Sequence, residues 1–187
     1  MSAHVLVPVK RLDGAKSRLA AALQPAERAA LVQEMLALVL AAAEEAAVGP
    51  VTVVSSESLL LNGVPRFDDR GLPWNDALAA AMREVVKGGV AAVVAADLPL
   101  LAPAEVRKLV AATPEQGVAI ARAQDGGTNA VAMRPPAVLT THFGEPASAE
   151  VHAQAARTAG LEAVTLDLEG LAFDVDTPDD LAAWRRA

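Results

Sequence analysis

Short apolar runs alternate along the chain with longer stretches in which alanine and leucine mix with charged residues. The central run, Val90–Ala96, contains only Val and Ala and is followed at once by Asp97. A continuous apolar run is typical of a strand that is covered on both faces. Pro99 follows closely, and because a proline cannot donate to the ladder, the strand must end before it. The pattern predicts a buried parallel strand with a carboxylate at its carboxyl end.

The same alternation predicts elements along the whole chain. Strands are expected at His4–Pro8, Val51–Ser55, Val64–Phe67, Val90–Ala96, Gly117–Arg122, Ala130–Met133 and Leu161–Leu166. Helices are expected at Ala26–Ala47, Asn75–Lys87, Pro103–Ala112, after Ser148 to Ala159, and at Asp179–Arg186, with Ala172–Asp176 extended before the last one. This order predicts a single α/β domain over residues 1–187, with a mostly parallel sheet and an antiparallel strand within Gly117–Met133.

Composition narrows the class of protein. The net charge of −7 argues against a nucleic-acid-binding surface, and the absence of cysteine excludes disulfide and zinc–thiolate chemistry. The longest apolar run, Met35–Ala43, is nine residues long, well short of the roughly 20 that span a membrane. The chain enters a strand at once and lacks the layout of a signal peptide. We therefore expect a cytoplasmic protein without nucleic-acid or membrane partners.

Several common catalytic motifs are missing. Gly14-Ala15-Lys16-Ser17 lacks the adjacent Gly-Lys pair of a P-loop, and neither G-x-G-x-x-G after the first strand nor G-x-S-x-G is present. The histidines have no H-E-x-x-H spacing. We expect His4 to be structural or on the surface. His152 is close to a candidate anion site but is expected to be a solvated helix residue.

A basic loop follows the first strand. Its cations lie within nine residues, at Lys10, Arg11, Lys16 and Arg18. The loop is expected at the carboxyl edge of the sheet, as is Asp97, and such a cluster can neutralise a triphosphate. A solvated basic turn is the alternative, but in an acidic protein we favour the functional interpretation.

Carboxylates are predicted at the same edge. Asp97 follows one strand, while Asp174 and Asp176 precede the last helix. Mg²⁺ takes one or two carboxylates together with substrate phosphates. Asp97 alone is equally consistent with an acid that caps the helix after Pro103, and Asp176 with an acid at a helix start. Combined with the basic loop, the acids indicate metal-assisted phosphoryl or nucleotidyl transfer.

Two glycine-containing turns are further candidates. Asp125–Asn129 (DGGTN) contains a hydroxyl and an amide, and Phe143–Ser148 (FGEPAS) leads into a helix N-terminus. A serine at such a terminus can bind phosphate or carboxylate. Taken alone, the first is better explained as an ordinary hairpin turn and the second as a turn that ends in an ordinary N-cap serine.

Five motifs in this order resemble the 2-phospho-L-lactate / phosphoenolpyruvate guanylyltransferases of coenzyme F-420 biosynthesis. They are PVKRLDGAKSRL (Pro8–Leu19), ADLPLL (Ala96–Leu101), DGGTN (Asp125–Asn129), FG…S…H (Phe143–His152) and DVDTPDDL (Asp174–Leu181). The second and the last are shared with a wider nucleotidyltransferase group that includes molybdenum-cofactor enzymes. The combination of the others is more specific.

The resemblance implies a Rossmann-like GT-A nucleotidyltransferase fold and transfer of GMP from GTP to the phosphate of phosphoenolpyruvate or 2-phospho-L-lactate, with release of pyrophosphate. It places Mg²⁺ on Asp97 and Asp176. It places the acceptor on Thr128, Gly144 and Ser148. The implied nucleotide contacts are Lys10, Lys16, Arg18 and Asn75, and the implied catalytic residues are Lys16, Arg18 and Asp97.

The chain departs from the family pattern at three points. The stretch RGLPWNDAL (Arg70–Leu78) is two residues longer before Asn75, the FG…S turn is one residue longer, and Ser55-Ser56 replaces acidic residues. Two alternatives stay open: another Mg-dependent nucleotidyltransferase of the cytidylyl or molybdenum-cofactor type, and a non-catalytic nucleotide-binding protein. The acceptor, with 3-phosphoglycerate as a third candidate, also stays open, as does the oligomeric state, for which a homodimer is one option.

Overall fold

The computed structural model describes residues 2–10, 12 and 14–187. In this part of the chain, seven strands form one sheet in the order β3-β2-β1-β4-β6-β5-β7. The strands are β1 (Ala3–Pro8), β2 (Val51–Val54), β3 (Arg66–Phe67), β4 (Val90–Val94), β5 (Gly117–Arg122), β6 (Thr128–Arg134) and β7 (Glu162–Leu166). Only β6 among these strands runs antiparallel to its neighbours, β4 and β5. The predicted mostly parallel α/β sheet is confirmed.

The helices also follow the predicted order. They are α1 (Pro25–Glu45), α2 (Trp74–Val85), α3 (Pro103–Ala111), α4 (Ser148–Thr158), α5 (Glu169–Ala172) and α6 (Pro178–Trp184). Three of them begin at a proline, which fits the first turn because its missing N–H has no partner there in any case. Helix α5 and a 3-10 turn at Ser17–Leu19 were not predicted. None of the helices in the described ranges is both long and apolar enough to cross a membrane.

Strand β4 shows why the central run is uniformly apolar. Its side chains alternate between two cores: Val90, Ala92 and Val94 contribute to one, and Ala91 and Val93 to the other, all with no exposed surface. The first core packs against α1 and α3, and the second against α2 and α4. Because helices cover both faces, the loops at the carboxyl edge are where side chains can reach a ligand.

Candidate active site

A cleft of about 920 Å³ opens at the carboxyl ends of β1 and β4. Every predicted site residue except Asn75 lines it: Lys10, Lys16, Arg18, Asp97, Thr128, Gly144, Ser148 and Asp176. Arg11, the remaining cation of the predicted basic loop, lies outside the described residues. The volume is near the upper end of the roughly 300–1,000 Å³ usual for ligand sites.

The acids of the cleft are brought together by the backbone. Val175 N–H donates to the carbonyl oxygen of Asp97 at 3.3 Å, which places Asp174 and Asp176 beside it. Carboxylate oxygens of the three aspartates lie within 4.8 Å of one another, so the group can hold a metal ion. Burial raises the pKa of Asp174, and the other two carboxylates raise it further, against a 3.1 Å hydrogen bond from Asn129 Nδ2. Asp174 thus joins the predicted metal residues.

Lys16 lies between two of these acids. Its Nζ donates to Asp97 Oδ2 at 2.5 Å and to Asp176 Oδ1 at 2.7 Å, and its side chain is only 9% exposed. Burial lowers the pKa of Lys16, but the charges and hydrogen bonds of the two carboxylates outweigh it and raise the pKa. Arg18 Nη1 donates to Asp176 Oδ2 at 3.2 Å from an exposed position. Lys16 therefore stays protonated at neutral pH.

Asp180 fixes the backbone next to Asp176. Its Oδ2 accepts the N–H groups of Asp176 at 3.2 Å and Thr177 at 2.8 Å, and Thr177 Oγ1 accepts Asp180 N–H at 3.3 Å. This is a capping box at the start of α6. The sequence pattern does not assign Asp180 to the site, although its spacing of three from Thr177 is the signal for such a box.

A second wall of the cleft holds two hydroxyls. Thr128 begins β6 and Ser148 begins α4, and both are buried. Ser148 Oγ donates to Thr128 Oγ1 at 3.1 Å. Gly144, in the loop before α4, has φ of +83°, a conformation that favours glycine. The predicted acceptor residues are thus grouped at one wall.

Asn75 lies outside the cleft lining and binds the loop that precedes Gly144. Its Oδ1 accepts Thr141 Oγ1–H at 2.9 Å and Phe143 N–H at 3.0 Å, while its Nδ2 donates to the carbonyl of Phe143 at 3.2 Å. Both ends of the amide are engaged with the loop that carries Gly144. Contact between Asn75 and the nucleotide stays a prediction, and the geometry gives this side chain a structural task instead.

The expectation that His152 is solvated was wrong. Its side chain has no exposed surface, since the loop before α4 covers it. Burial lowers its pKa to about 4, so it is neutral at pH 7. Its position four residues after Ser148 was the available signal, because such residues share a helix face. His4, by contrast, lies 2.8 Å from Thr52 Oγ1, as expected of a structural histidine.

The longer Arg70–Leu78 stretch contributes an aromatic wall. Trp74 stacks on Phe143 with ring centroids 5.8 Å apart, and Lys10 Nζ lies 3.8 Å from the centroid of the Trp74 ring. A cation over an indole is stabilised by the ring quadrupole. The basic loop and the acceptor wall are therefore in contact through Trp74, a residue that no motif in the sequence assigns to the site.

Comparison with known proteins agrees with this arrangement. The family model described as "Guanylyl transferase CofC like" matches residues 3–184. Phosphoenolpyruvate guanylyltransferases of Rubrobacter xylanophilus and Sphaerobacter thermophilus are 40% and 42% identical, each over 97% of this chain and 93% and 91% of their own. The 2-phospho-L-lactate guanylyltransferase of Haloarcula marismortui is 39% identical over 89% of this chain and 78% of its own.

Solved structures show the same fold at low identity. A structure from Desulfovibrio desulfuricans G20 has a TM-score of 0.80 at 20% identity, covering 100% of this chain and 87% of that one. The 2-C-methyl-D-erythritol 4-phosphate cytidylyltransferase of Thermus thermophilus has a TM-score of 0.60 at 18% identity, with both chains fully covered. Rv0371c of Mycobacterium tuberculosis H37Rv, solved with manganese, has a TM-score of 0.58 at 18% identity, covering 100% and 99%.

Proposed function

The chain belongs to the family of CofC-like guanylyl transferases, and from this premise we propose that it transfers GMP from GTP to the phosphate of phosphoenolpyruvate, in coenzyme F-420 biosynthesis. The observation that carries the proposal is that one cleft holds a cluster of cations and carboxylates at one wall and a pair of buried hydroxyls at the other. Relatives named for phosphoenolpyruvate are 42% and 40% identical over 97% of this chain, and relatives named for 2-phospho-L-lactate are 40% and 39% identical over 96% and 89%; we choose phosphoenolpyruvate on this narrow margin.

The acidic wall suits the donor nucleotide. Asp97 and Asp176, with Asp174 beside them, offer the hard oxygen ligands that Mg²⁺ prefers. When bound, Mg²⁺ would supply charge neutralisation at the reacting phosphate. Lys16 and Arg18 already lie against these acids, and Lys10 is close by over Trp74. We assign these three cations to the triphosphate of GTP.

The hydroxyl wall suits the acceptor. Thr128 and Ser148 can donate hydrogen bonds to phosphate or carboxylate oxygens, and Gly144 leaves its backbone open to a close approach. The two walls meet at the start of β6. There Thr128 belongs to the hydroxyl pair, while the adjacent Asn129 donates to Asp174. This adjacency favours an acceptor phosphate next to the donor side, which is the alignment that transfer requires.

The chemistry needs no general base. A phosphate monoester has a second pKa of about 6, so the acceptor is largely dianionic at pH 7. One of its oxygens attacks the α-phosphorus of GTP, a new P–O bond forms, and the bond from the α-phosphorus to the bridging oxygen breaks. Pyrophosphate leaves with that electron pair. Lys16 and Arg18 stabilise the charge that develops on the phosphates.

Pyrophosphate release tests the proposal. GTP, CTP and ATP are each offered with phosphoenolpyruvate, 2-phospho-L-lactate or 3-phosphoglycerate in the presence of Mg²⁺, together with the enzyme that consumes the product. Release with GTP and phosphoenolpyruvate is expected. Release only with CTP or ATP would assign a different nucleotidyltransferase, and no release in any combination would favour a non-catalytic nucleotide-binding protein.

Two further expectations belong to this proposal. The cytoplasmic location remains a prediction, and the oligomeric state stays open, with a homodimer as one option. Light scattering on the purified chain measures the oligomeric state directly, and a mass of about one chain would exclude the homodimer.

A further inference from the structure

His152 lies behind the hydroxyl wall of the cleft, in contact with Thr128, and the proposed reaction gives it no task. It is buried in α4, with its ring edge-on to the rings of His142 and Phe143 at centroid distances of 5.5 and 5.6 Å. Both of its nitrogens have partners. His142 N–H donates to Nε2 at 2.8 Å, and Nδ1 lies 3.0 Å from Thr128 Oγ1. The ring therefore connects the acceptor loop to an acceptor hydroxyl.

These partners fix where the protons are. A backbone N–H can only donate, so Nε2 of His152 is an acceptor and carries no proton. In a neutral imidazole the proton is then on Nδ1, which donates to Thr128 Oγ1. The same oxygen accepts from Ser148 Oγ at 3.1 Å.

The hydroxyl of Thr128 consequently has one option left. A hydroxyl oxygen has two acceptor sites and one hydrogen, and both acceptor sites of Thr128 are in use. With Ser148 as the donor of the 3.1 Å pair, the hydrogen of Thr128 is left to face the cleft, which Thr128 lines. A hydroxyl that can only donate favours an anionic oxygen and disfavours a ligand group that must itself donate.

We propose that His152 is a positioning residue of the acceptor subsite. Through Nδ1 it holds Thr128 as a donor toward an acceptor oxygen, and through Nε2 it holds the loop that carries Gly144. This inference rests on the proposed function, since it presumes that the Thr128 wall binds the phosphorylated acid.

Two substitutions separate the two contacts. The amide of asparagine reaches about as far as Nδ1, so His152→Asn keeps a donor for Thr128. The amide oxygen of glutamine reaches about as far as Nε2, so His152→Gln keeps an acceptor for His142 N–H. We expect His152→Gln to raise the KM for phosphoenolpyruvate about tenfold, the effect of losing one hydrogen bond to the subsite, with the KM for GTP within about twofold. His152→Asn should raise the KM for phosphoenolpyruvate less, because its amide still donates to Thr128.

A double-mutant comparison tests whether the effect passes through Thr128. In a Thr128→Val background, His152→Gln should change the KM for phosphoenolpyruvate by less than about twofold, because the hydroxyl it orients is already gone. Equal effects of His152→Gln in both backgrounds would overturn the inference.

His4→Asn is the matched control. His4 pairs with Thr52 through Nε2 at 2.8 Å, a position that the amide of asparagine does not reach, so this variant loses its threonine contact as His152→Gln loses that of Nδ1. His4 lies in β1 and outside the cleft lining. If His152 were merely structural, both variants would lower thermal stability and kcat while leaving the KM for phosphoenolpyruvate unchanged, and that result would overturn the inference. Wild-type enzyme that releases no pyrophosphate with any acceptor would instead overturn the proposed function, and this inference with it.

A measurement on the wild-type protein covers the case in which the variants do not fold. Nitrogen NMR of labelled histidine reports the tautomer of each ring. We expect His152 to carry its proton on Nδ1 at pH 7, and its signals to shift on addition of phosphoenolpyruvate while those of His4 stay in place. A proton on Nε2, or equal shifts at both rings, would contradict the assignment.

Discussion

Replacing Lys16 by methionine tests whether its ammonium group competes with a metal ion for the carboxylates of Asp97 and Asp176. Lys16 Nζ lies 2.5 Å from Asp97 Oδ2 and 2.7 Å from Asp176 Oδ1. A metal ion shared by these carboxylates has to compete with that ammonium. Methionine has a similar length and no charge, so Lys16→Met should bind a divalent cation more tightly in the absence of nucleotide.

The contacts of Lys16 set the size of the effect. A hydrogen bond between charged groups contributes about 1.5–3 kcal/mol when shielded from water. The Asp97 and Asp176 side chains are 30% and 40% exposed, so solvent screening reduces each contribution to about half or less. The two together then amount to at most about 1.5–3 kcal/mol, which corresponds to an upper bound of roughly 10- to 150-fold in the dissociation constant of the metal.

Mn²⁺ titration followed by electron paramagnetic resonance measures that constant. Arg18→Met is a graded comparison, because Arg18 is exposed and contacts only Asp176 of these acids, at 3.2 Å; its effect should be under about threefold. Lys87→Met, far from the cleft lining, should have none. Mn²⁺ affinity in Lys16→Met that is unchanged within about twofold, or weaker, would refute the reasoning and show that Lys16 orients the carboxylates for the metal instead.

Three further variants or conditions test other parts of the account. Asp97→Asn should abolish pyrophosphate release with an unchanged circular dichroism spectrum; an active variant would remove Asp97 from the metal role. Gly170→Ala should lower stability by about 1–3 kcal/mol in urea unfolding, because a Cβ there would lie 2.2 Å from Glu105 Oε2 and 2.3 Å from the carbonyl of Leu100; an unchanged midpoint would contradict that packing. Burial lowers the pKa of His152 to about 4 from 6.5; the neighbouring His142 lowers it as well, while Glu145 acts in the opposite direction. The contribution of the neutral ring to stability is therefore fully present above pH 6.5. That stability, about 3 kcal/mol at most, should be lost as pH falls toward 4, and His152→Gln should flatten the loss; parallel profiles for both proteins would argue against a buried neutral ring.

The sequence was informative where one residue type decided the structure. The Val and Ala run before Asp97 predicted a doubly covered strand, and Pro25, Pro103 and Pro178 marked three helix starts, which α1, α3 and α6 confirm. The carboxyl edge followed from the order of strands and helices. Position alone predicted the basic loop and the acids at this edge, whereas Thr128, Gly144 and Ser148 were assigned to the acceptor only by the family resemblance; all of these residues that the structure describes line the cleft.

Contacts over long chain separations could not be predicted in this way. Asn75 and Phe143 are 68 residues apart, and nothing in either segment indicates that an amide of α2 holds the acceptor loop. The same loop buries His152 by covering its ring. The sequence of α4 is rich in alanine, so the contrast between its faces was too small to predict which face is covered. Lys16 reaches the acids from a backbone with φ of +50°, a conformation that its residue type does not suggest.

The central claim is that the two walls of one cleft bring a nucleotide and a phosphorylated acid together for transfer of GMP. Following the label of α-³²P-GTP tests it most directly, with phosphoenolpyruvate present and the products separated by ion exchange. The account predicts that the label moves to a species that contains both guanosine and enolpyruvate, in step with release of unlabelled pyrophosphate. Label that stays in GTP, or that appears in free GMP at the same rate with and without phosphoenolpyruvate, would contradict it.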